Sequence, residues 1–261
     1  MTAYRLPVSR QSVALRPPDG HDQILLAQPP MAGLDLQVAV LARLAPPEAA
    51  DVRWEELPVA DIDPAFLALR RELVGDRIVA EVSCATCGGK GDLTFAASGY
   101  LAAHAPAARH AAERQADGWY RCGDAFFRPP TAADVMAAAR TASEAGRQAA
   151  LVEQGSIRAE TAHARRRARR ALDKAAPLIG GPVVGACPEC RAAIDGWFEP
   201  ADFVLAELAQ RCSGIFEQVH LLAGRYGWSE TTILDLPGWR RDRYAALVAG
   251  DAAVQRRTLA H

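Results

Sequence analysis

The sequence lacks a strong net charge, and it lacks a long apolar run. Its 261 residues carry a formal net charge of −1, so overall electrostatics favour neither nucleic acid nor an anionic membrane. No stretch approaches the ~20 apolar residues of a membrane-spanning helix, and residues 1–16 lack the apolar segment of a signal peptide. We therefore expect a folded cytoplasmic protein.

Catalytic signatures are also missing. The chain has no G-x-x-x-x-G-K-[ST] phosphate loop, no H-E-x-x-H motif, no G-x-S-x-G elbow and no G-x-G-x-x-G that opens a helix. Asp61 and Asp63 lie just before Pro64, where a carboxylate is typical of a helix cap. The sequence therefore predicts a protein that is not an enzyme.

The most informative feature that the chain does have is two C-x-x-C pairs, Cys84/Cys87 and Cys187/Cys190. The segments around them are related by a constant offset of 103 residues, which also aligns Phe95 with Phe198 and Tyr100 with Phe203. This agreement outside the cysteines favours a duplicated half-site over two chance pairs.

Cysteine pairs at this spacing are more often metal ligands than disulfides in a reducing compartment. Four thiolates, two from each pair, would make a closed tetrahedral site, which is typical of structural zinc. Three alternatives stay open: metal binding by one pair only, disulfides, and iron in place of zinc. Cys122 and Cys212 have no cysteine neighbour at ligand spacing and are expected to be buried thiols.

Each cysteine pair is predicted to lie in the turn of a β-hairpin. Residues 77–83 alternate apolar and polar side chains, which indicates a half-buried strand leading into the first pair. The glycines of residues 88–91 would reverse the chain into a second strand, and residues 183–199 repeat this pattern. The sequence therefore predicts two zinc-knuckle hairpins that share one zinc-ribbon-like site.

Helices are predicted around these hairpins. Thr131 and Asp134 form a capping box, so residues 135–152 and 157–176 are predicted as a helical hairpin inserted between the half-sites. Asp63 and Ser229 are predicted as N-caps. The other predicted helices cover residues 34–44, 64–74, 98–115, 201–226, 229–236 and 239–248.

Together these elements predict an α+β fold in which helices surround the duplicated hairpins. We expect five segments along the chain. They are 1–76, an N-terminal β and helical cap; 77–130, the first zinc-knuckle half; 131–178, the inserted hairpin; 179–228, the second half with a long helix; and 229–261, the C-terminal helices.

The run from Arg165 to Arg170 is the one local concentration of charge in the sequence. It contains five arginines, and no aromatic residue that could stack on bases lies between them. Three interpretations stay open: a solvated helix face, a surface for a protein partner, and a site for nucleic acid.

The C-terminal run from Val219 to Tyr244 reads V-H-L-L-A-G-R-Y-G-W-S-E-T-T-I-L-D-L-P-G-W-R-R-D-R-Y. It resembles the Y-x-W-S-E-x-x-I-L-x-L-P-x-x-R-R-x-x-Y signature of baseplate-associated assembly proteins of contractile phage tails and of phage-like contractile injection systems. Shorter fragments agree in the same order: L-P at residues 6–7, L-R-P at 15–17, F-L-A-L-R-R-E-L-V-G-D-R-I at 66–78, then C-x-x-C-G and C-P-x-C.

This resemblance implies a baseplate or hub component, or an assembly helper, that contacts baseplate, hub or tube proteins. The expected contact residues lie in the C-terminal helices: Trp228, Trp239, Arg240, Arg241 and Tyr244. The alternative from the residues themselves is a zinc-ribbon regulator that binds nucleic acid through Arg165 to Arg170. A zinc enzyme would need a ligand other than cysteine.

Overall fold

The computed structural model describes residues 3–47, 52–107, 112–115 and 117–259, with backbone alone at Asp195 and residues 251–259. These residues form a mixture of helices and small antiparallel sheets, which confirms the mixed α and β character predicted from the sequence. Contacts divide the chain into two units: residues 1–15 with 33–204, and residues 16–32 with 205–261. The five predicted segments, which were drawn along the sequence, stay a prediction.

The strands are β1 (Tyr4–Arg5), β2 (Ser12–Val13), β3 (Arg77–Ser83), β4 (Lys90–Ala96), β5 (Glu113–Arg114), β6 (Tyr120–Cys122), β7 (Ala125–Phe127), β8 (Ile157–Arg158), β9 (Gly181–Ala186) and β10 (Ala193–Phe198). The helices are α1 (Gly20–Ala27), α2 (Gly33–Leu44), α3 (Ile62–Leu73), α4 (Ala97–Ala103), α5 (Ala132–Thr141), α6 (Ala145–Ser156), α7 (Ala162–Ala175), α8 (Pro200–Cys212), α9 (Ile215–Tyr226), α10 (Glu230–Leu234) and α11 (Gly238–Leu259). Short 3-10 helices cover Trp54–Glu56 and Val59–Asp61.

Helix α3 supplies much of the core of the larger unit. Its Phe66 and Leu67 side chains are fully buried, as is Trp54 just before it. Asp61 lies at its N-terminal end, where its carboxylate accepts hydrogen bonds from the backbone N–H groups of Val8 and Ser9, both at 2.8 Å. Burial raises the pKa of Asp61, and these two donors oppose that rise. The N-terminal segment is thereby held against the helix.

The two cysteine-bearing segments are antiparallel hairpins. Strand β3 pairs with β4 from Arg77↔Ala96 to Ser83↔Lys90, and β9 pairs with β10 from Gly181↔Phe198 to Ala186↔Ala193. The strand predicted over residues 77–83 is confirmed. Helix α4 follows the first hairpin and α8 follows the second, so the repeat includes a strand, a turn, a strand and a helix.

The segment between the hairpins differs from the predicted helical hairpin. The capping box of Thr131 and Asp134 is confirmed at the start of α5. However, the first predicted helix is divided into α5 and α6, and Ile157 belongs to strand β8. Strand β8 completes a four-stranded antiparallel sheet in the order β5-β6-β7-β8. Strands of two or three residues carry too little periodicity to be read from sequence.

Helix α7 packs on this sheet through small residues. Ala164 and Ala168 are buried against Phe127 and Ile157, and Cys122 lies in the same cluster. Alanine lets the helix backbone approach the sheet closely, so the arginines of this helix occupy its other faces. The small sheet and α7 thus form a separate apolar core in the larger unit.

Two further helix predictions and one cap prediction are wrong. The helix predicted over 201–226 is α8 and α9, which separate at Ser213 and Gly214, where the Ser213 hydroxyl donates to the carbonyl of Gln210. The helix predicted over 98–115 ends at Ala103, and residues 108–111 of that range lie outside the described residues. Asp63 does not cap α3, which begins one residue before it.

Asp63 instead caps another helix. Its carboxylate accepts a hydrogen bond of 3.0 Å from the N–H of Ala201, in the first turn of α8. Burial raises the pKa of Asp63 to about 6, the Ala201 N–H opposes that rise, and the carboxylates of Glu199 and Asp202 add to it. Asp63 therefore joins α3 to the end of the second hairpin.

The smaller unit is helical. Leu222 of α9, Ile233 of α10 and Val248 of α11 are buried together. Ser229 caps α10 by accepting from the N–H of Thr232, as predicted, and Gly227 ends α9 in the left-handed conformation that glycine favours. None of the helices among the described residues combines the length and apolarity that a membrane crossing requires.

Replacement of Asp63 by asparagine tests its buried cap. The asparagine side chain keeps an acceptor for the Ala201 N–H but does not titrate. The folded state holds the Asp63 proton more tightly than the unfolded state, because its pKa is about 6 against 3.8. Asp63 therefore destabilises the fold as the pH rises from about 4 to above 6, by about 1 to 3 kcal/mol.

Asp63→Asn should consequently gain stability over wild type between acidic and neutral pH in urea unfolding. Asp92→Asn, which removes an exposed carboxylate of β4, is the matched control for one lost charge. A stability difference between Asp63→Asn and wild type that does not change with pH would contradict this role.

Candidate metal centre

The four cysteines of the two pairs meet between the hairpin turns. Their Sγ atoms all lie within 4.8 Å of one another. Two of the contacts cross between the hairpins, Cys84 to Cys190 and Cys87 to Cys187, each at 3.7 Å. The prediction that the pairs come together is confirmed.

The two turns have the same backbone geometry. In the first, the N–H of Cys84 donates to the carbonyl of Gly89 at 2.9 Å, and that of Gly88 donates to Cys84 at 2.8 Å. In the second, the N–H of Cys187 donates to Ala192 at 2.8 Å, and that of Arg191 donates to Cys187 at 3.0 Å. Each bond of one turn falls on its counterpart at the sequence offset of 103 residues. The duplication is therefore structural as well as sequential.

One position of this turn requires a left-handed backbone. It is occupied by Gly88 in the first hairpin, with φ 72°, and by Arg191 in the second, with φ 62°. A residue with a Cβ is strained in this region, whereas glycine adopts it freely. The second turn therefore keeps a conformation that its sequence does not favour.

The hairpins pack on each other beside the thiols. Cys84, Cys187 and Ile194 are buried together, with Val82 and Ala192 against them. Glycines allow this approach: a Cβ at Gly91 would lie 3.0 Å from Pro188 of the other turn, and one at Gly185 would overlap the Leu93 side chain. A side chain at Gly91 would press on the Pro188 ring, and one at Gly185 would force the Leu93 side chain to move.

Four aromatic rings continue the contact on the far side from the cysteines. Phe198 lies 5.2 Å from both Phe95 and Tyr100 between ring centroids and 5.4 Å from Phe203. Its contacts with Phe95 and Tyr100 are edge to face, an arrangement that is favourable for aromatic pairs. These four residues are the two pairs that the repeat aligns, so the duplicated units share one aromatic cluster.

The local electrostatics favour a thiolate at Cys84. Hydrogen bonds from the backbone N–H groups of Cys87 and Thr86 lower the pKa of the Cys84 thiol to about 6. At Cys87 the Gly89 N–H acts in the same direction, but the neighbouring Cys190 and Cys187 thiols outweigh it and raise the pKa to about 12. Four thiolates at these distances repel one another, and a divalent cation would offset that repulsion.

The donor set fits a metal ion such as zinc. Four sulfur ligands at about 2.3 Å from a tetrahedral Zn²⁺ would lie about 3.8 Å apart, close to the 3.7 Å contacts between the hairpins. All six cysteines are free thiols, and the other two are buried elsewhere, Cys122 in the core of the small sheet and Cys212 at the end of α8. Burial raises the pKa of Cys212, as expected for an inert thiol.

The residues predicted to bind a partner occupy different environments in the smaller unit. Trp239 is 74% exposed. Trp228 is partly buried, with its ring 4.7 Å from Tyr226 and 5.3 Å from Tyr244. Arg240 lies over the Tyr244 ring at 5.7 Å. Trp228, Trp239, Arg240 and Tyr244 therefore remain a predicted contact surface.

Arg241 lies inside the smaller unit and is only 1% exposed. Its guanidinium donates to the side-chain carbonyl oxygens of Gln218, at 2.9 Å, and of Gln23. Burial lowers the pKa of Arg241. This arginine links α9, α11 and α1, so it positions the exposed residues and does not itself reach the surface.

Three of the arginines on α7 have acidic partners. Arg165 and Arg169 both lie within 4 Å of Glu153 on α6, and Arg167 pairs with Asp124. These ion pairs are exposed and each contributes little to stability. They also neutralise part of the positive charge, which favours the interpretation of a solvated helix face.

Sequence reasoning missed two structural roles near the centre. The left-handed position of Arg191 is visible only when the second turn is aligned with Gly88 of the first. The link between Asp63 and Ala201 joins residues far apart in sequence and leaves no local signal.

Comparison with protein-family models, with curated proteins and with solved structures gives no match. The assignment of a function therefore depends on the geometry described above and on the sequence resemblance.

Serine at Cys187 tests the four-cysteine site. We expect wild-type protein to bind one metal ion per chain, and Cys187→Ser to lose it and several kcal/mol of stability, because the ligand set joins two sequence-distant hairpins. Cys212→Ala, which replaces a buried thiol outside the site, should retain the metal. Elemental analysis after desalting, with thermal unfolding, measures both. Full metal content and an unchanged Tm in Cys187→Ser would rule out this site.

The left-handed backbone of Arg191 leads to a second prediction. Arg191→Gly should stabilise the metal-loaded protein by about 1 kcal/mol, because glycine relieves the left-handed strain. The reciprocal change, Gly88→Ala, should destabilise it by a similar amount. Denaturant unfolding of the two variants provides the comparison. Destabilisation by Arg191→Gly would show that the arginine side chain outweighs its backbone strain.

Proposed function

We propose that this protein is a structural or assembly component of a contractile phage-tail baseplate, or of a related injection system, stabilised by a structural zinc ion. The observation that carries the structural part is the closed set of four thiols at the joint of the two hairpins. The resemblance of residues 219–244 to baseplate-associated assembly proteins supports the assignment to a phage-tail particle.

The proposed zinc would stabilise the fold and would not catalyse a reaction. Catalytic zinc keeps a coordination position for water or substrate, whereas four cysteine ligands fill all positions of a tetrahedral ion. In this interpretation the hairpins are zinc knuckles that form one ribbon-like site. Zinc bound there would contribute several kcal/mol to folding because it closes a long segment of chain.

The proposed activity is protein binding by the C-terminal helices. Trp239 is exposed at the start of α11, beside Arg240, and tryptophan and arginine are the residue types that most often dominate protein interfaces. Tyr244 lies one helical turn from Arg240, and its hydroxyl accepts a hydrogen bond of 3.3 Å from that guanidinium. We propose baseplate, hub or tube proteins as partners, met in the reducing cytoplasm where thiolates persist.

Co-expression with the proteins encoded beside this chain tests the proposal. We expect one baseplate, hub or tube protein to form a stable complex with it, and Trp239→Ala to weaken that complex at least about tenfold. Leu178→Ala, at an apolar residue of similar exposure in the larger unit, is the matched control. Biolayer interferometry on purified proteins measures the affinities.

Two outcomes would contradict the proposal. If the neighbouring genes encode no sheath, tube or baseplate proteins, the assignment to a phage-tail particle loses its support. Equal binding by wild type, Trp239→Ala and Leu178→Ala would exclude the C-terminal helices as the contact surface.

A further inference from the structure

A groove of about 520 Å³ lies along two strands of the duplicated hairpins, apart from the cysteines. Its lining is mainly apolar and includes Val79, Val82, Phe95, Val183, Trp197 and Phe203. Trp197 is 71% exposed and Val79 is 43% exposed, although both are large apolar side chains. Such exposure at the rim of an apolar groove is typical of a binding surface.

The groove follows strand edges. Strand β3 contributes residues 79–82, which alternate between its two faces, and β10 contributes residues 196–198 in the same way. Strands β4 and β9 contribute only Phe95 and Val183. Among the described residues, β3 is hydrogen-bonded to β4 alone and β10 to β9 alone. The sides of β3 and β10 that border the groove are therefore edges without a partner strand.

The edges of β3 and β10 approach each other at Gly196. A Cβ at Gly196 would lie 3.4 Å from Cγ1 of Val82, so the absence of a side chain there leaves β10 in contact with the apolar face of β3. Beside this contact the aromatic rings of Phe95 and Phe198 line the groove. An extended backbone would meet unpaired N–H and C=O groups beside apolar side chains.

The rim of the groove is acidic. Glu81, Glu199 and Asp202 all line it. Glu81 pairs with Lys90 at 2.7 Å, but within the part of the chain that the structure describes no cationic side chain lies within 4 Å of Glu199 or Asp202. Glu199 instead accepts from the indole N–H of Trp197, and Asp202 accepts from the Gln37 amide at 2.8 Å. The excess negative charge favours a basic occupant.

We propose that this groove binds an extended segment of a partner protein, in which apolar residues alternate with lysine or arginine, as a strand added along the edges of β3 and β10. Successive side chains of a strand point to opposite sides, so one set would cover the apolar lining while the other meets the carboxylates of Glu199 and Asp202. This surface lies on the larger unit. It does not depend on the assignment to a phage tail.

A designed peptide tests the proposal on the full-length, metal-loaded chain. The probe is a fluorescein-labelled peptide of about ten residues that alternates lysine and valine, a length that matches a typical strand. A glutamate and valine peptide controls for charge, and a lysine and valine peptide with alternate backbone nitrogens methylated controls for strand pairing. Fluorescence anisotropy at low and high salt measures each affinity.

The lysine and valine peptide should bind at least about tenfold more tightly than either control, and more weakly at high salt. Trp197→Ala should weaken it about tenfold. Glu199→Gln, which keeps an acceptor for the Trp197 indole, should weaken it about threefold and reduce its salt dependence. Val184→Ala is the matched control, because Val184 is 72% exposed on the same hairpin but does not line the groove.

Four outcomes would overturn the proposal. They are no binding of the lysine and valine peptide, equal binding of the methylated peptide, equal binding of the glutamate and valine peptide, and equal effects of Trp197→Ala and Val184→Ala.

Sedimentation velocity adds a further test. A dimer of this chain that Trp197→Ala dissociates would show that a second copy occupies the groove instead. Unchanged metal content and Tm in each variant exclude loss of fold as the cause.

Discussion

The contact between the two hairpins is the constraint on which the larger unit depends. Each hairpin is a two-stranded sheet, and such a sheet is at best marginally stable alone. The contact joins them through three layers: four thiols at the turns, glycines that allow close approach, and four aromatic rings at the far end. Helices α4 and α8 follow directly after the two hairpins, so the geometry of this contact sets where both helices begin.

The duplication explains both the symmetry of this joint and its differences. The two turns share their hydrogen bonds, and the aligned aromatic residues of the two repeats meet in one cluster. The copies differ at exposed positions. The first turn has Gly88 at its left-handed position and the second has Arg191, while the exposed Trp197 borders the groove along the strand edges. The shared hydrogen bonds and aromatic rings stabilise the contact between the hairpins. The residues that differ between the copies, such as Trp197, are not needed for that contact.

The sequence predicted those features that carry strong local or repeating signals. The C-x-x-C pairs, the strand over 77–83 and the caps at Thr131 and Ser229 follow from spacing and from the chemistry of single residues. The small sheet was not predicted because its strands are too short for periodicity. The break after Cys212 was not predicted because apolar residues recur at helical spacing on both sides of it, Val204 and Leu208 before it and Ile215 and Val219 after it. The roles of Asp63 and Arg241 depend on partners distant in sequence, which no local pattern indicates.

X-ray absorption spectroscopy of the purified protein tests the central claim most directly, because it reports the ligands of the bound metal without any substitution. The account predicts a zinc edge with a single shell of four sulfur atoms at about 2.3 Å. A shell that includes nitrogen or oxygen ligands, or only two sulfur atoms, would contradict the proposal that both hairpins supply all four ligands to one closed site.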